Sequence, residues 1–370
     1  MRILHFYKNA LPETVGGVEQ VIDQIARGTA ILGVENTVLT LSNSPSEHSI
    51  PLHGYELITA KRNFELASNG FSWQSFQIFK DLAAKADLIH YHFPWPFADL
   101  IHLLISPKKP SVLTYHSDIV RQKLLLQIYR PLKQQFLKSV DHIVATSPNY
   151  LETSGVLQAF ATKTSVIPIG LDEHTYPRPD KNAIKHYKEH FGERFFLFIG
   201  AFRYYKGLKF LIESAKDVKY PIVIVGSGPI EEELKASAQK YQLKNIFFVG
   251  QVSEENKSAL LKACYAVIFP SHLRSEAFGV SLLEGAMFGK PLISCEIGTG
   301  TTFINIDHKT GLVTPPSDPK ALANAMTWLW DHPETANKMG QNARARYEAL
   351  FTAKKMARSY FDLYQKLLKL

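Results

Sequence analysis

Short apolar runs alternate with amphipathic stretches along the chain, and this alternation predicts an α/β protein. Runs rich in β-branched and aromatic residues predict buried strands in the first half. They are RILHFYK, NTVLTLS, DLIHYHF, SVLTYHS, DHIVATS and TSVIPIG. The stretches VEQVIDQIARGTAIL and WQSFQIFKDLAAKA between them carry apolar residues at helical spacing and predict helices.

The same alternation begins again in the second half of the chain. Before it comes LDEHTYPRPDKNAIKHYKEHFGER, rich in charge and proline, which we expect to be a linker. Predicted strands then alternate with predicted helices: FFLFIGA, GLKFLIESAKD, PIVIVGSG, IEEELKASAQKY, NIFFVGQV, SEENKSALLKAC, YAVIFPS, the helix of SEAFGVSLLEG, and PLISCEI. The final segment, FTAKKMARSYFDLYQKLLKL, predicts one long amphipathic helix.

Two βαβ series in 370 residues predict two parallel-sheet domains with helices on both faces of each sheet. Ligands of such sheets bind beyond the carboxyl ends of the strands. We therefore expect the active site in a cleft between the two halves of the chain.

Composition narrows the class of protein. Hydrophobic residues make up 45% and charged residues 21% of the chain, as in a globular protein. The N-terminus, MRILHFYKN, has too short an apolar run for a signal peptide, and the two cysteines, Cys264 and Cys295, show no metal-ligand spacing. Because no stretch reaches the roughly 18 apolar residues of a spanning helix, we expect a cytoplasmic protein that does not cross a membrane.

A net charge of +8 raises the expectation of an anionic partner. Residues 121–138, RQKLLLQIYRPLKQQFLK, hold five basic residues, no acidic ones, and leucines and aromatics between them. This segment fits either a surface that rests on anionic lipid or a solvated helix face kinked near Pro131. No nucleic-acid-binding signature is present, so a nucleic-acid partner is not expected.

One carboxylate stands out within the second half. In SEAFGVSLLEG, Glu284 is the only charged residue between Ala277 and Gly289. Val280, Leu283 and Met287 have the spacing of one buried helix face. Since a buried carboxylate needs a polar partner, Glu284 either points to solvent or is met by something polar.

Several predicted strand ends carry groups suited to a phosphate ester. FIGAFRYYKG places Arg203 and Lys206 after a strand, where two cations can offset the charge on a departing diphosphate. In TVGGVEQV, Gly16 and Gly17 precede a helix, whose free N–H groups attract anions, although an ordinary turn explains them equally well. PIVIVGSGPIEEE has Glu231 at the third position of a GxGxxG pattern, which disfavours a dinucleotide site.

A family resemblance joins these motifs. The GG loop, RYYKG, the two glutamates Glu276 and Glu284 separated by seven residues, and the two βαβ series together resemble the retaining GT-B glycosyltransferases of glycosyltransferase family 4. The resemblance covers nearly the whole chain. It implies an N-terminal acceptor-side domain at 1–172 with a C-terminal helix, 355–370, that crosses back to it, and a nucleotide-sugar-binding domain at 173–354.

The resemblance also implies roles for individual residues. Glu284 would bind ribose hydroxyls and Glu276 sugar hydroxyls, with Arg203 and Lys206 on the diphosphate. Backbone around Phe278, Gly279 and Val280 would assist, Val252 would lie near the base, and Gly16 and Gly17 would close over the donor.

In the N-terminal half, His116 follows the strand SVLTYHS and matches a histidine that lines the sugar pocket of many relatives. Asp118, Arg121 and Lys123 follow it and either face the acceptor or begin a solvated helix. A metal site of His90, His92 and His116 is conceivable but disfavoured, because no carboxylate shares their spacing and the family needs no metal. We therefore expect no cofactor.

The implied reaction transfers a hexose with retention of configuration, by a front-face route in which the leaving phosphate helps to deprotonate the acceptor. ISCEIGTGTTFIN resembles a subgroup of bacterial surface-polysaccharide mannosyltransferases. This favours GDP-mannose as donor and a saccharide acceptor, lipid-linked, at the inner face of the cytoplasmic membrane, for lipopolysaccharide or exopolysaccharide synthesis. The alternatives are a UDP-sugar donor, a GT-B sugar-nucleotide epimerase and a non-catalytic sugar-binding protein.

Overall fold

The computed structural model describes residues 1–14, 16–66, 69–119 and 123–370, with 123–125 described by backbone alone. Its contacts divide the chain into two compact units. The first unit comprises Met1–Leu171 together with Ala353–Leu370, and the second comprises Asp172–Thr352. Each unit contains its own sheet, so the predicted α/β class with two parallel-sheet domains is confirmed.

The first unit is built on an eight-stranded sheet with the order β10-β9-β8-β7-β1-β2-β4-β3. Its strands are β1 (Arg2–Phe6), β2 (Glu35–Ser42), β3 (Ile50–Leu52), β4 (Tyr55–Lys61), β7 (Leu88–Phe93), β8 (Ser111–Tyr115), β9 (His142–Ala145) and β10 (Thr164–Val166), with a separate hairpin of β5 (Phe64–Leu66) and β6 (Asn69–Phe71). Its helices are α1 (Gly17–Ala30), α2 (Trp73–Lys85), α3 (Pro96–Ile105), α4 (Lys123–Ser139), α5 (Pro148–Thr153), α6 (Gly155–Ala159) and α15 (Ala353–Leu368), with 3-10 turns at Ala161–Lys163. All sheet pairings are parallel except that of β3 with β4.

Side chains alternate between the two faces of this sheet, as the pleat requires. Phe6 contacts Phe79 of α2 and Trp95 on one face, with ring centroids 4.8 and 4.7 Å away. Its neighbour His5 points to the other face, where α1 and α15 pack against each other. The sheet is therefore covered on both faces, which is why its central strands are almost wholly buried.

The C-terminal helix belongs to the first unit. Apolar and aromatic residues of α15 recur at helical spacing and are buried, including Met356, Tyr360 and Tyr364. The backbone N–H of Ala353 donates to the carbonyl of Leu171, so the chain re-enters this unit at its boundary. The predicted return of the C-terminal helix to the first domain is confirmed.

The second unit contains a six-stranded, fully parallel sheet with the order β13-β12-β11-β14-β15-β16. Its strands are β11 (Phe196–Ile199), β12 (Ile222–Val225), β13 (Ile246–Gly250), β14 (Ala266–Phe269), β15 (Leu292–Cys295) and β16 (Gly311–Thr314). Its helices are α7 (Lys181–Phe191), α8 (Leu208–Ser214), α9 (Glu231–Lys240), α10 (Glu254–Ala263), α11 (Val280–Met287), α12 (Thr301–Ile304), α13 (Pro319–Asp331) and α14 (Pro333–Leu350), with 3-10 turns at Glu173–Thr175 and Tyr204–Lys206.

The segment predicted as a linker is folded into the second unit, so that prediction was wrong. It contains α7, which begins at Lys181 because the Asp180 carboxylate accepts from the backbone N–H of Ala183. The helix packs against α10 while burying little beyond Phe191. Its exposed face supplied the charge that made the sequence look like a linker.

Among the described helices, none is both long enough and apolar enough to span a membrane.

Candidate functional site

In the second unit, the parallel strands bring several predicted residues to one edge of the sheet. Arg203 and Lys206 follow β11, Val252 follows β13, and Glu276 lies between β14 and α11. Because the carboxyl ends of parallel strands share an edge, these segments, far apart in sequence, surround one region.

The turn that carries Lys206 depends on a glycine. Gly207 has φ +71°, and a Cβ there would lie 1.9 Å from the carbonyl oxygen of Pro270. Pro270 directly follows β14, so this close approach joins the loop after β11 to the loop after β14. The absent side chain of Gly207 therefore lets Lys206 and Glu276 come together.

Lys206 and Glu276 form an ion pair, with Nζ 2.5 Å from Oε2. Both side chains are nearly buried, at 12% and 11% exposure. Burial opposes the charge on Lys206 and is the largest single influence on its pKa. Glu276, Tyr205 and Glu284 together outweigh burial, so the pKa of the lysine is raised. Ser271 donates a further hydrogen bond to the same carboxylate oxygen. Lys206, predicted to bind the diphosphate, and Glu276, predicted to bind the sugar, thus contact each other in the ligand-free chain.

Glu284 is buried in α11, and the protein itself supplies polar partners for it. The hydroxyl of Tyr176 donates to Oε1 at 2.8 Å, and Lys257 Nζ lies 3.1 Å from the same oxygen. Burial would lower the pKa of Lys257, but Glu284 and Glu254 raise it. Among the described residues no hydrogen bond reaches Oε2 of Glu284, so this oxygen can accept from a ribose hydroxyl.

The start of α11 has the backbone geometry expected of an anion site. Gly279 is the N-cap in the left-handed region, with φ +100°. Val280 begins the helix and Phe278 is buried before it. The N–H groups of the first turn of a helix lack intrahelical partners and attract negative charge.

Arg203 and Val252 are less enclosed than these residues. Arg203 is exposed and Val252 is partly exposed. Both lie in loops that follow strands of the same sheet, so both can contact a ligand at this edge.

Together, Lys206, Glu276, Lys257 and Glu284 form what we call the ion-pair cluster. The Glu284 carboxylate is among the charges that raise the pKa of Lys206, so the two pairs interact electrostatically. An enclosed set of two cations and two carboxylates can bind a phosphate ester through its lysines and hydroxyl groups through its glutamates.

In the first unit, the double glycine lies at the N-terminus of α1. Gly16 is the N-cap in an extended conformation and Gly17 opens the helix. A Cβ at Gly16 would lie 2.4 Å from Oε2 of Glu19, so a side chain there would displace this carboxylate. The Glu19 side chain is flexible and can move aside, so this glycine is compatible with an ordinary turn or with contact to a ligand.

His116 ends a row of buried histidines. It follows β8 directly, is 7% exposed, and its Nε2 lies 3.1 Å from Nδ1 of His92. His92 Nε2 in turn lies 3.2 Å from Nδ1 of His5, and His5 Nε2 lies 3.3 Å from Oδ1 of Asn36. We call Asn36, His5, His92 and His116 the histidine series.

Ring nitrogens of His5, His90 and His92 lie within 4.8 Å of one another, close enough to consider a metal. Both nitrogens of His90 are already bonded, however, at 2.7 Å each to the hydroxyls of Tyr364 and Thr114. His5 likewise uses both nitrogens in the histidine series. Hydrogen bonds within the protein thus occupy the ring nitrogens that a metal ion would need.

The predicted acceptor residues are only partly described. Asp118 accepts hydrogen bonds from Tyr115 and Ser154, at 2.9 and 3.0 Å, which anchors its carboxylate within the first unit. Arg121 lies outside the described residues, and Lys123 is described by its backbone alone, at the start of α4.

Sequence reasoning missed Lys257, Tyr176 and the partners of His116. Lys257 lies in the helix after β13, so the strand-end rule that identified Lys206 would have drawn attention to it. Tyr176 lies in the segment taken for a linker, and no local signal marks it.

Comparison with known proteins identifies the family of the chain. Residues 15–175 match the family model Glycosyltransferase Family 4, and residues 180–346 match Glycosyl transferases group 1. The chain is 56% identical over 353 residues to D-rhamnosyltransferase WbpZ of Pseudomonas aeruginosa, covering 95% of this chain and 93% of that protein. It is 48% identical over 369 residues to O-antigen chain mannosyltransferase C of Escherichia coli, covering 100% and 99%.

The fold is shared more widely. Sucrose-phosphate synthase from Thermosynechococcus elongatus superposes with a TM-score of 0.84 at 22% identity, over 100% of this chain and 99% of that one. With two family models that together span most of the chain and relatives of about half identity along its length, the chain belongs to the glycosyltransferases of family 4 with a group 1 C-terminal domain, and it is a glycosyltransferase.

Proposed function

We propose that this glycosyltransferase moves mannose from GDP-mannose to a lipid-linked saccharide acceptor in the synthesis of a bacterial surface polysaccharide. The observation that carries the proposal is the 48% identity, along the whole chain, to an O-antigen chain mannosyltransferase. The ion-pair cluster supports the proposal, because its two lysines suit the diphosphate of a sugar nucleotide and its two carboxylates suit the hydroxyl groups.

A second donor is favoured by the 56% identity to a D-rhamnosyltransferase. D-Rhamnose is mannose without the 6-hydroxyl group, so the two donors share the stereochemistry of the remaining ring hydroxyls. A site that hydrogen-bonds the 6-hydroxyl group discriminates strongly against the deoxy sugar, because a buried polar group then loses its partner. Comparing the two donors is therefore a direct test of specificity.

In the proposed reaction the bond from sugar C1 to the diphosphate breaks, and a bond from C1 to the acceptor hydroxyl forms on the same face. The acceptor proton passes to the departing phosphate oxygen. Arg203 and Lys206 stabilise the negative charge on the diphosphate, and the first turn of α11 adds backbone N–H groups. Glu276 holds sugar hydroxyls and Glu284 holds the ribose through Oε2, while Tyr176 and Lys257 fix its Oε1.

Roles in the first unit complete the proposal. His116 contacts the sugar, Gly16 and Gly17 admit the donor, and Asp118, Arg121 and Lys123 lie on the acceptor side. No metal ion takes part, because Lys206 and Arg203 supply the positive charge that a cation supplies in metal-dependent transferases.

We further propose a peripheral contact with anionic membrane through α4. Ile128 on this helix is 76% exposed, and Arg130 and Lys138 are exposed on it as well. A helix that exposes both an apolar side chain and basic residues suits a surface of anionic headgroups. Vesicles with anionic lipid should sediment the protein at low salt and release it at high salt; binding that is indifferent to both contradicts this contact.

The donor is tested by melting temperature in the presence of EDTA, with GDP-mannose, GDP-D-rhamnose, UDP-glucose and ADP-glucose as probes. A ligand at 100 times its Kd adds roughly 2.7 kcal/mol to the unfolding free energy, which gives a clear shift in Tm. We expect a shift with a GDP-sugar. A response to UDP-glucose alone, or to none of these, contradicts the proposed donor.

Product analysis tests the stereochemistry. Proton NMR of the glycoside formed from GDP-α-mannose should show the α configuration at C1. A β product contradicts the retaining mechanism. Conversion of the donor into an epimer when no acceptor is present points to the epimerase alternative.

A further inference from the structure

The histidine series crosses the sheet of the first unit diagonally. Asn36 is level with Ile3 in the pairing of β2 with β1, and His5 lies two residues further along β1. His5 is level with His90 on β7, and His92 lies two residues beyond that. His92 is level with Thr114 on β8, and His116 follows two residues later. Each strand thus contributes one member, about 7 Å nearer the carboxyl edge than the last.

The direction of the hydrogen bonds is set at Asn36. Its Nδ2 donates to the carbonyl oxygen of Ala26 at 2.9 Å and to Thr29 Oγ1 at 3.1 Å. A carbonyl oxygen can only accept, so the amide nitrogen must face α1. Oδ1 of Asn36 must therefore face His5, and it accepts a hydrogen bond from His5 Nε2.

The consequence passes from ring to ring. A neutral imidazole has one N–H and one lone pair, so a His5 that donates through Nε2 accepts at Nδ1. His92 must then donate through Nε2 to His5 and accept at its own Nδ1. His116 donates through Nε2 to His92, and its Nδ1 carries a lone pair.

Burial keeps the rings neutral, so each ring has one N–H donor and one lone pair. Desolvation lowers the pKa of His5 to about 4 and that of His116 to about 3. The pKa of His92 falls well below its ordinary value for the same reason, and the neighbouring histidines lower it further. No carboxylate among the described residues is hydrogen-bonded to the histidine series.

We propose that Asn36, His5 and His92 are positioning residues that hold His116 as the Nε2–H tautomer, so that its Nδ1 accepts a hydrogen bond from a ligand hydroxyl group. The inference deepens the proposed function, since it rests on His116 contacting the sugar. It adds that His116 acts there as an acceptor, and that the Asn36 amide, three strands away in the sheet, decides this.

The position of the His116 ring is consistent with Nδ1 acting as a hydrogen-bond acceptor. Among the described residues, its Nδ1 has no hydrogen-bond partner, while Nε2 is taken by His92. The ring lies beyond the end of β8 and keeps a small exposed fraction. A lone pair at a strand end, next to the sheet edge where ligands bind, is suited to a hydroxyl donor.

The adjacent His90 stabilises the histidine series without joining it. Its ring stacks on that of His92, with centroids 4.4 Å apart, and its two nitrogens bond Tyr364 and Thr114. Thr114 in turn bonds Tyr360 at 2.7 Å, so α15 holds this ring in place.

The first experiment reads the tautomers directly in the full-length, ligand-free protein. Long-range ¹H–¹⁵N NMR of histidine-labelled protein at pH 7.5, with EDTA, assigns the proton on each ring. We expect Nε2–H on all three histidines, with through-hydrogen-bond N–N couplings from His116 to His92 and from His92 to His5. A proton on Nδ1 of His92 or His116 overturns the proposal, as does ligation of these ring nitrogens when one equivalent of Zn²⁺ is added to a sample prepared without EDTA.

Variants then test the dependence on the series. His5→Phe keeps an aromatic ring but removes the acceptor for His92, so a second tautomer should appear at His116. Transfer from GDP-mannose should lose about three- to tenfold in kcat/KM, the size of one neutral hydrogen bond. Thr29→Val is the matched control, because it removes one contact of the Asn36 amide while Ala26 still fixes its direction. An unchanged His116 tautomer and kcat/KM in His5→Phe contradicts the relay, whatever happens to Tm.

Adding GDP-mannose separates this proposal from the proposed function. We expect the ¹⁵N signal of His116 Nδ1 to shift as it accepts a hydrogen bond, with the proton remaining on Nε2. Protonation of Nδ1, or no response at Nδ1 when a Tm shift shows that GDP-mannose is bound, overturns the acceptor role. Failure of GDP-mannose to bind contradicts the donor assignment instead, and the ligand-free spectrum still decides the tautomer.

Discussion

The two units solve the same problem in opposite ways. Each places polar groups in a nearly dry environment that reaches the carboxyl edge of its sheet. The second unit does so with charge, through the ion pairs Lys206–Glu276 and Lys257–Glu284. The first unit uses uncharged rings, in the histidine series that runs from Asn36 to His116.

The difference matches what each set is proposed to do. A diphosphate brings charge, so lysines held by carboxylates can exchange one anionic partner for another when the donor binds. A sugar hydroxyl brings none, and a neutral acceptor of fixed direction is enough to orient it. The ion-pair cluster should therefore be sensitive to the loss of one partner, and the histidine series to acid.

The largest effect is expected from breaking the nearly buried ion pair on one side. Glu276→Gln leaves Lys206 enclosed without its counter-charge, so the unfolding free energy should fall by about 3 kcal/mol. Urea unfolding of the variant and the parent measures this.

A double variant provides the control. Lys206→Met with Glu276→Gln removes both charges and should recover most of the stability, while transfer activity stays lost. If Glu276→Gln is as stable as the parent, the pair is not enclosed as described, and the contrast with the first unit fails.

The second-largest effect is expected from acid, which should lower the stability mainly of the first unit. The folded-state pKa of His5 is lowered to about 4, whereas the unfolded chain has the ordinary value of 6.5. Between these values the unfolded chain binds protons that the folded one excludes, so stability falls as pH drops from 6.5 towards 4. Each such histidine contributes up to about 1.4 kcal/mol per pH unit. Hydrogen exchange at pH 7 and pH 5 should show β1, β7 and β8 losing protection.

His92→Gln supplies a matched comparison, since glutamine can hydrogen-bond but does not titrate in this range. Its stability should depend less steeply on pH between 6.5 and 4. Equal pH dependence in the two proteins would mean that the acid sensitivity arises elsewhere.

A smaller effect is expected at Glu284. Tyr176→Phe removes the hydroxyl that fixes Oε1, at 2.8 Å, so the proposed ribose ligand loses one constraint. Donor affinity should weaken about fivefold, because the lost hydrogen bond orients Glu284 and does not itself contact the donor, so only roughly 1 kcal/mol is expected to reach the binding free energy. Calorimetric titration with the GDP-sugar measures it, and Tyr187→Phe on α7 of the same unit is the control. Equal affinity in both variants removes Tyr176 from the site.

The smallest effect is expected at His90 and tests whether this residue belongs to the histidine series. Tyr364→Phe takes away the hydroxyl at His90 Nδ1 and should cost about 1 kcal/mol or less in unfolding free energy. The His116 tautomer should not change, because His90 stands beside the series. A changed tautomer at His116 would place His90 and α15 within it.

Much of the fold could be predicted from local pattern. Buried strands such as LIHYHF are unbroken apolar and aromatic runs, and of the three spaced residues that predicted α11, Leu283 and Met287 are buried. The segment around α7 was misread because its helix buries little and its prolines precede the cap at Asp180. Local composition cannot show that such a helix packs on α10.

The candidate site was predictable where chemistry follows a strand end. Lys206 and Glu276 were found in this way, and they do meet. The partners of Glu284 lie 27 and 108 residues away, so only the tertiary structure could reveal them. The histidine series needed the strand order, because His5 is adjacent to His92 only if β1 lies beside β7.

If the proposed function holds, a GDP-sugar binds at the carboxyl edge of the sheet of the second unit, on the ion-pair cluster. Hydrogen exchange of the whole chain, with and without GDP-mannose in EDTA, tests it most directly. We expect new protection at 203–207, 251–257 and 276–284, with none at the opposite edge of the same sheet, around 219–222 and 243–246. Binding confirmed by a Tm shift but without protection in those three segments would contradict it.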